Sequence, residues 1–382
     1  MPADDDDPAK TLPAADQVTL RAALEALTAQ GPFDPARSLR GVRAEELTEA
    51  DPVAELAATR PLEELRLQGP DAPLRLGVLL GSGGMGEVWR ATHRMLARPA
   101  AIKLIRPEAL SGRASATQRQ TLKARFEREA RATAQLSSPH TISIYDFGAT
   151  EDGVLYYVME LLDGTDLETL VAEHGPLPAG RVVHLLKQAC ESLAEAHRAG
   201  LVHRDVKPAN LFLARKGRRV DWVKVLDFGL VKEREATSAA LTADGELAGT
   251  PAYLAPEVAT GDAPVDGRAD LYALGCVAYA LLTGAPVFEG VTAMQVAAAH
   301  VVEAPAPPST RTRALIPRDL EALILACLAK APADRPASAA DLRDALRATG
   351  LSSGWTAKHA RAWWDTHLAP ESSGVFEAAP PR

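Results

Sequence analysis

The stretch His203-Arg204-Asp205-Val206-Lys207-Pro208-Ala209-Asn210 decides how this chain is read. Asp205 is a candidate base, because a carboxylate at that point can take the proton of an attacking hydroxyl. Asn210, five residues on, offers an amide oxygen to a divalent metal, and Lys207 sets a positive charge between the two. A lone His-Arg-Asp would say little. Eight consecutive residues of this kind, followed by Asp227-Phe228-Gly229 with its metal-binding carboxylate, leave little room for coincidence.

Upstream, Leu76, Val78 and Leu80 alternate as in a strand and run into Gly81-Ser82-Gly83-Gly84-Met85-Gly86, after which Glu87 to Ala91 resume the pattern. The spacing predicts a hairpin. Glycines at 81, 83 and 86 permit positive φ and let backbone N–H groups approach the oxygens of a triphosphate. Dinucleotide-binding folds use the same glycine spacing, but there a helix follows the glycines, whereas here a strand does. Ala100-Ala101-Ile102-Lys103 reads as a buried strand ending in one long cation, against the usual exposure of lysine.

These stretches stand in a fixed order, Gly-rich loop, Lys103, residues 203–210, Asp227 to Gly229, then Ala255-Pro256-Glu257. In that order the chain, over about residues 74–347, resembles the eukaryotic-like serine/threonine protein kinases. Lys207 and the run Gly249-Thr250-Pro251 to Glu257 look like the serine/threonine branch, and the Ala- and Pro-rich composition looks like bacterial members. The resemblance implies an α+β, bilobal protein-kinase fold: a small β-rich N-lobe (74–160) with one main helix and a larger, mainly helical C-lobe (163–347). It implies an enzyme that passes the γ-phosphoryl of ATP to Ser or Thr hydroxyls of protein substrates, with Mg²⁺, or Mn²⁺ in its place.

Roles follow residue by residue from the same resemblance. Gly81, Ser82, Gly83, Gly84 and Gly86 would cover the phosphates, and Lys103 would grip two of them. Asp227 and Asn210 would hold the metal, Lys207 would steady the γ-phosphate, and Asp205 would receive the hydroxyl proton. Thr250 would touch Asp205 and Lys207. The partner implied for Lys103 is a carboxylate on the next helix, where Glu127 and Glu129 compete. At 100° per residue Glu129 falls within about 20° of Leu122 and Glu127 about 140° away, so Glu129 is the inward one. Adenine would lie between Val88 and Ala101 above and Phe212 below, with Met159 behind it and the backbones of Glu160 and Leu162 on its edge. Glu257 would pair with Arg335, and Asp270 would brace the catalytic loop.

Activation is expected by autophosphorylation at Thr242, in a transient homodimer, since a phosphothreonine brings about two charges and three acceptors to Arg204 beside the base. Asp244 and Glu246 can stand in for part of that charge. One rival is a pseudokinase scaffold that binds nucleotide without transfer, but such proteins usually lack the base, the metal aspartate or the lysine. A small-molecule phosphotransferase of related fold is the other. That class lacks the segment seen at 249–257.

The 382 residues carry a net charge of −8 and no basic block, which argues against nucleic acid as a partner. Cys190, Cys276 and Cys327 stand singly in apolar runs and read as buried reduced thiols. No secretory signal opens the chain, and the longest apolar run, Leu271 to Leu282, is well short of the ~20 residues of a membrane span. The expected location is the cytoplasm, without membrane attachment.

Residues 1–73 form an extension that begins Asp-, Ala- and Pro-rich, a disordered composition, and then carries two helical patterns, one capped by Asp16 and one from about Arg43 to Thr59. Both read as packing or linker segments. In the C-lobe the periodicity predicts helices over 181–199, 270–282, 293–302, 317–328 and 337–347. Strands are expected over 211–214 and 223–226, joined by Arg215-Lys216-Gly217-Arg218-Arg219, a charge run read as a solvated tip.

The tail, residues 348–382, ends in a disordered composition but holds three of the five tryptophans, Trp355, Trp363 and Trp364. Thr356 can cap a helix over 356–368 in which Ala357, Ala360, Trp364 and Leu368 share a face. The expectation is that it folds back on the helical lobe away from the nucleotide cleft. Its rival is a docking peptide for a partner protein.

Overall fold

A computed structural model describes residues 74–83, 86–93, 98–105, 116–150, 154–228, 251–261 and 264–368. The expectations for residues 1–73, Gly84, Thr242, Thr250 and the end of the tail lie outside the described residues.

Strands β1 (Leu74–Gly83) and β2 (Gly86–His93) make the expected hairpin. With β3 (Arg98–Ile105), β4 (Ile144–Ala149) and β5 (Leu155–Glu160) they form a five-stranded antiparallel sheet in the order β1-β2-β3-β5-β4. Pleating sends Ala101, Lys103 and Ile105 to one face of β3 and Ala100, Ile102 and Leu104 to the other, and all six are buried. Burial on both faces is why this strand reads as a continuous apolar run instead of an alternating one. Helix α1 (Ala116–Ala134) covers the first face with Phe126 and Ala130, which pack against Ala101, Ile105, Tyr157 and Met159. Glu127 lies on the outer side, 3.8 Å from Arg131 one turn on.

The connector after Glu160 leads into a short strand that the sequence pattern did not announce, β6 (Gly164–Asp166). Gly164 starts it at φ 146, and a Cβ there would sit 2.0 Å from the carbonyl oxygen of Leu213, so only glycine lets β6 pair with its neighbour. Asp166 then caps α2 (Leu167–His174), which precedes α3 (Ala179–Arg198). Strands β7 (Leu211–Lys216) and β8 (Arg219–Val225) complete a second sheet, β6-β7-β8.

Helices α4 (Pro256–Thr260), α5 (Gly267–Thr283), α6 (Ala293–Val302), α7 (Arg318–Cys327) and α8 (Ala339–Ala348) build the rest of the larger lobe. α5 begins three residues before the expected start because Asp266 caps it, and Gly284 in the left-handed region ends it. Its run from Leu271 to Leu282 is buried throughout, as expected of a central core helix. Cys190, Cys276 and Cys327 are buried free thiols. Among the described residues no helix is long and apolar enough to cross a membrane.

The last described element, α9 (Ala357–His367), is capped by Thr356 through its hydroxyl and His359. Trp364 and Ala360 are buried, and Trp364 belongs to the core of the larger lobe, with Trp363 and Leu368 packed against it. Ala357, expected on the same face, is exposed instead. The turn Leu351–Gly354 packs close to α3: its Leu351 carbonyl oxygen would lie 2.8 Å from a Cβ on Gly180, so the first turn of α3 accepts this close approach only as glycine.

Candidate active site

Two loops and two strands converge on the interlobe cleft. The chain enters the catalytic stretch with both backbone amides of His203 and Arg204 donating to Asp270, at 2.8 Å to Oδ2 and 2.8 Å to Oδ1. Asp270, at the start of the buried helix α5, thereby sets the turn, and Arg204 adopts φ 60 within it. The His203 ring fixes the next step. Its Nδ1 accepts the Asp205 amide at 3.2 Å, which leaves Nε2 to carry the proton and donate to the Leu226 carbonyl at 2.7 Å. Its ring also lies 4.7 Å from that of Phe228, so the histidine ties the catalytic loop to the Asp227 segment.

Within that frame Asn210 Nδ2 donates to Asp205 twice, to the backbone oxygen at 2.7 Å and to Oδ2 at 3.0 Å. Both amide hydrogens are thereby committed to Asp205, and Oδ1 is the atom that remains as an acceptor-type ligand. Lys207 Nζ stands 3.2 Å from the same Asp205 Oδ2. Asn210 closes a 3₁₀ turn (Pro208–Asn210), and its carbonyl accepts the Leu226 amide at 2.9 Å, one residue before Asp227.

Asp227 is held at φ 52, in the left-handed region that a non-glycine residue rarely takes and that recurs at functional sites. Lys103 Nζ reaches its Oδ2 at 2.5 Å, and the Tyr157 hydroxyl donates to Oδ1. Burial acts to raise the Asp227 pKa, but the charge and hydrogen bond of Lys103, with the Tyr157 hydrogen bond, outweigh it and hold the carboxyl below its ordinary value. Burial and the adjoining carboxylate push the Tyr157 phenol well up, so it remains a donor.

Lys103 is ion-paired with Asp227, and Glu129, half-buried on α1, is engaged in a contact of its own. Register brings these groups together: Lys103 lies directly opposite Tyr157 in the β3–β5 ladder, and Tyr157 aims its hydroxyl at the same Asp227. Tyr157 was missed in the motif reading. Its signal was the alternation that puts it on one face with Met159 and Leu155.

The glycines separate into two kinds. Gly86 has φ 151, and a Cβ on it would lie 1.9 Å from the Leu104 carbonyl oxygen, so the sheet itself requires glycine there. At Gly81 and Gly83 a Cβ would meet nothing within 4 Å, so among the described residues no neighbour demands glycine. That open space suits a ligand lying close against the backbone. Ser82, between them, makes a contact of its own.

Ala101 and Met159 are buried in the cluster that faces the cleft, with Val88 and Leu162 half-buried against it. Leu211 and Leu213 point into the core of the larger lobe, which turns Phe212 to the opposite face of β7. Of the Glu160 backbone, the amide is taken by the Ser143 carbonyl at 3.0 Å, leaving the carbonyl side for a ligand edge. The Glu160 side chain is committed to Lys224, at 2.5 Å.

A nucleotide with its metal fits these residues. An ionised aspartate and an amide oxygen are hard donors suited to Mg²⁺, and two protein ligands leave the remaining positions to phosphate and water. Below the cleft, Arg335 grips Glu257 with two 2.7 Å hydrogen bonds, both side chains being buried.

Residues 74–346 match the family described as "Protein kinase domain". The chain is 42% identical over 277 residues to the serine/threonine-protein kinase pkn3 of Myxococcus xanthus, covering 72% of this chain and 49% of that protein. It is 40% identical over 271 residues to the serine/threonine-protein kinase PknB of Mycolicibacterium smegmatis, covering 70% and 41%. The chain therefore spans about half the length, or less, of the curated relatives it matches. Among solved structures, the PknI kinase domain of Mycobacterium tuberculosis superposes with a TM-score of 0.55 at 30% identity, covering 72% of this chain and 96% of that one. The motif order, the two-lobed fold and these matches agree, and the chain belongs to the protein kinase family, its kinase domain lying within residues 74–346.

Proposed function

We propose that this chain transfers the γ-phosphoryl group of ATP to serine or threonine hydroxyls of proteins, as a cytoplasmic signalling kinase of bacterial type. The observation that carries the reading is the pairing of two clusters: Asp205 held by Lys207 and Asn210, and Asp227 held by Lys103. The serine/threonine assignment is supported by the names of the relatives and by Lys207.

Bound Mg²⁺–ATP supplies the phosphoryl group and the countercharge for its oxygens. Asp227 and the Asn210 amide oxygen would hold the metal, with Mn²⁺ able to replace Mg²⁺. Lys103, already beside Asp227, is placed to share its charge between that carboxylate and the phosphates. Asn210 and Lys207 fix the direction of the Asp205 carboxylate, so it orients the acceptor hydroxyl and receives its proton. Glu129 and Thr250 complete the assignment by position in the family's motifs. Phosphorylation of Thr242 within a transient homodimer is part of the same proposal.

The test uses purified chain, labelled ATP and Mg²⁺ with a generic basic protein, followed by phosphosite mapping. Wild type should label itself at Thr242 and label the substrate on Ser or Thr. Asp205→Asn should lose transfer while keeping nucleotide affinity, because Asp205 acts on the hydroxyl. Wild-type turnover in that variant sinks the assignment of the base, and an unmodified loop in fully active enzyme sinks Thr242.

A further inference from the structure

The C-terminal helix is fastened to one carboxylate. Asp221 on β8 accepts Arg181 Nε at 3.0 Å and Trp355 Nε1 at 2.7 Å on Oδ2, and Arg181 Nη2 at 2.8 Å and Trp364 Nε1 at 2.7 Å on Oδ1. The Arg181 and Asp221 side chains are fully enclosed. The Trp363 ring lies 3.9 Å from the Arg181 guanidinium and the Trp355 ring 5.0 Å from it, so the cation is faced by two indoles while its own partner is held by two indole N–H groups. Asp221 has φ 54. Among the described residues, the other non-glycine residues with positive φ are Arg204 and Asp227, both in the cleft machinery. Backbone strain of this kind persists only where the surroundings over-determine it, and here α3 and the tail do so.

From this socket the contacts lead to the connector between the lobes. Arg215 on β7 sends Nη2 to the Leu368 carbonyl, at the end of α9, at 2.7 Å, with its guanidinium 5.3 Å from the Trp364 ring. Its backbone amide donates to the Asp163 carbonyl at 2.7 Å, and its Nε lies 3.4 Å from Asp163 Oδ2. Asp163 follows Leu162, whose backbone is assigned to the adenine edge. Three residues along β8 from Asp221, buried Lys224 donates to the Thr141 carbonyl at 3.0 Å and to Glu160 Oε1 at 2.5 Å. The β7–β8 hairpin therefore holds the connector at both Glu160 and Asp163, and holds the tail through Asp221 and Arg215. Arg215 was read from sequence as part of a solvated tip; only Lys216 to Arg219 are exposed.

We propose that the C-terminal helix is a brace for the interlobe connector: seated on the Arg181–Asp221 pair by two indole N–H donors, it fixes Asp163 through Arg215 and so sets nucleotide affinity. Arg215 is a positioning residue in this scheme. The proposal rests on the reading of the cleft as a nucleotide site, and its test separates the two.

The full chain is compared with Trp364→Phe, which keeps a ring and removes the N–H, with Arg215→Gln, and with the double variant. Calorimetric binding of a non-hydrolysable ATP analogue with Mg²⁺, KM for ATP, kcat and melting temperature are measured well below the melting range. Each single variant should weaken analogue binding and raise KM about fivefold, near the lower end of ordinary coupling between sites, with kcat at saturation unchanged. The double variant should be no weaker than Arg215→Gln alone, because both act through one contact. A Trp364→Phe variant that melts earlier but binds the analogue like wild type makes the tail a structural clip and overturns the brace. So does binding that is weakened in Arg215→Gln but unchanged in Trp364→Phe. A wild-type chain that binds no nucleotide overturns the reading of the cleft and the brace with it, whereas normal binding in wild type and all variants overturns the brace alone.

Discussion

Replacing Asp221 by asparagine should be among the most damaging single changes in the larger lobe. Asparagine preserves volume and tolerates the left-handed backbone found at φ 54, so the loss is electrostatic. Arg181 would become a buried cation without a counter-charge, which costs about 3–5 kcal/mol when one partner of a buried pair is removed. The amide also turns a donor toward groups that are all donors, the guanidinium and the two indoles, and each donor left unmatched adds about 1–3 kcal/mol. These losses share one site and do not add fully, so the expected total is about 5 kcal/mol, near the lower bound of a whole domain's stability. Urea unfolding followed by tryptophan fluorescence reads it directly. The companion variant Arg181→Met with Asp221→Asn removes both charges and should unfold at higher urea than Asp221→Asn alone, with a coupling of about 2–3 kcal/mol. A single variant within about 1 kcal/mol of wild type, or a strictly additive cycle, would refute the argument that this pair is a desolvated, mutually dependent unit.

Acid should destabilise the larger lobe through His300, which burial and then the nearby Lys330 push down to about 4 while its Nδ1 meets the Tyr272 hydroxyl at 2.8 Å. Because its folded pKa lies below the unfolded value, the unfolded chain binds the extra proton between about pH 6.5 and 4, and roughly 3 kcal/mol is lost as pH falls through that window. His300→Gln should flatten that part of the stability–pH curve, and an unchanged slope would contradict the assignment. Gly86→Ala should lower the melting temperature, since its Cβ would lie 1.9 Å from the Leu104 carbonyl oxygen, whereas Gly81→Ala should leave melting unchanged and raise KM for ATP. Equal melting losses in the two variants would show that the loop's glycines serve the sheet alone.

The catalytic stretch was legible because its chemistry is local: Asp205, Lys207 and Asn210 lie within six residues and meet around one carboxylate. The main helices were legible from their apolar spacing, with ends moved by caps such as Asp266 and Ser338. Pairings across long separations were not. Lys103 meets Asp227, 124 residues away, and the register that brings Tyr157 to the same carboxylate is set by pairing of strands, which residue order alone does not specify. Strand β6 escaped notice because three residues beginning with glycine carry no periodic signal. The basic turn was misread at one position, since Arg215 looks like its neighbours in sequence and differs only in what stands opposite it in the fold.

Buried charge in this molecule is concentrated where one element must be held at a defined distance from another. Glu257–Arg335 secures the segment below the cleft, Glu160–Lys224 secures one end of the connector, Lys103–Asp227 joins the lobes, and Arg181–Asp221 seats the tail. A packed apolar contact of equal area would stabilise at least as well, since desolvating an ion pair offsets much of its attraction. Apolar contacts tolerate sliding, however, while a bidentate or fully saturated pair fixes both distance and direction. Lys103–Asp227 lies in the cleft, Glu160–Lys224 holds the connector, and Arg181–Asp221 reaches the connector through the tail helix, Arg215 and Asp163. On that ground the tail belongs with the machinery that shapes the nucleotide site, and its two indole donors act as the latch that determines whether the β7–β8 hairpin is held from both sides.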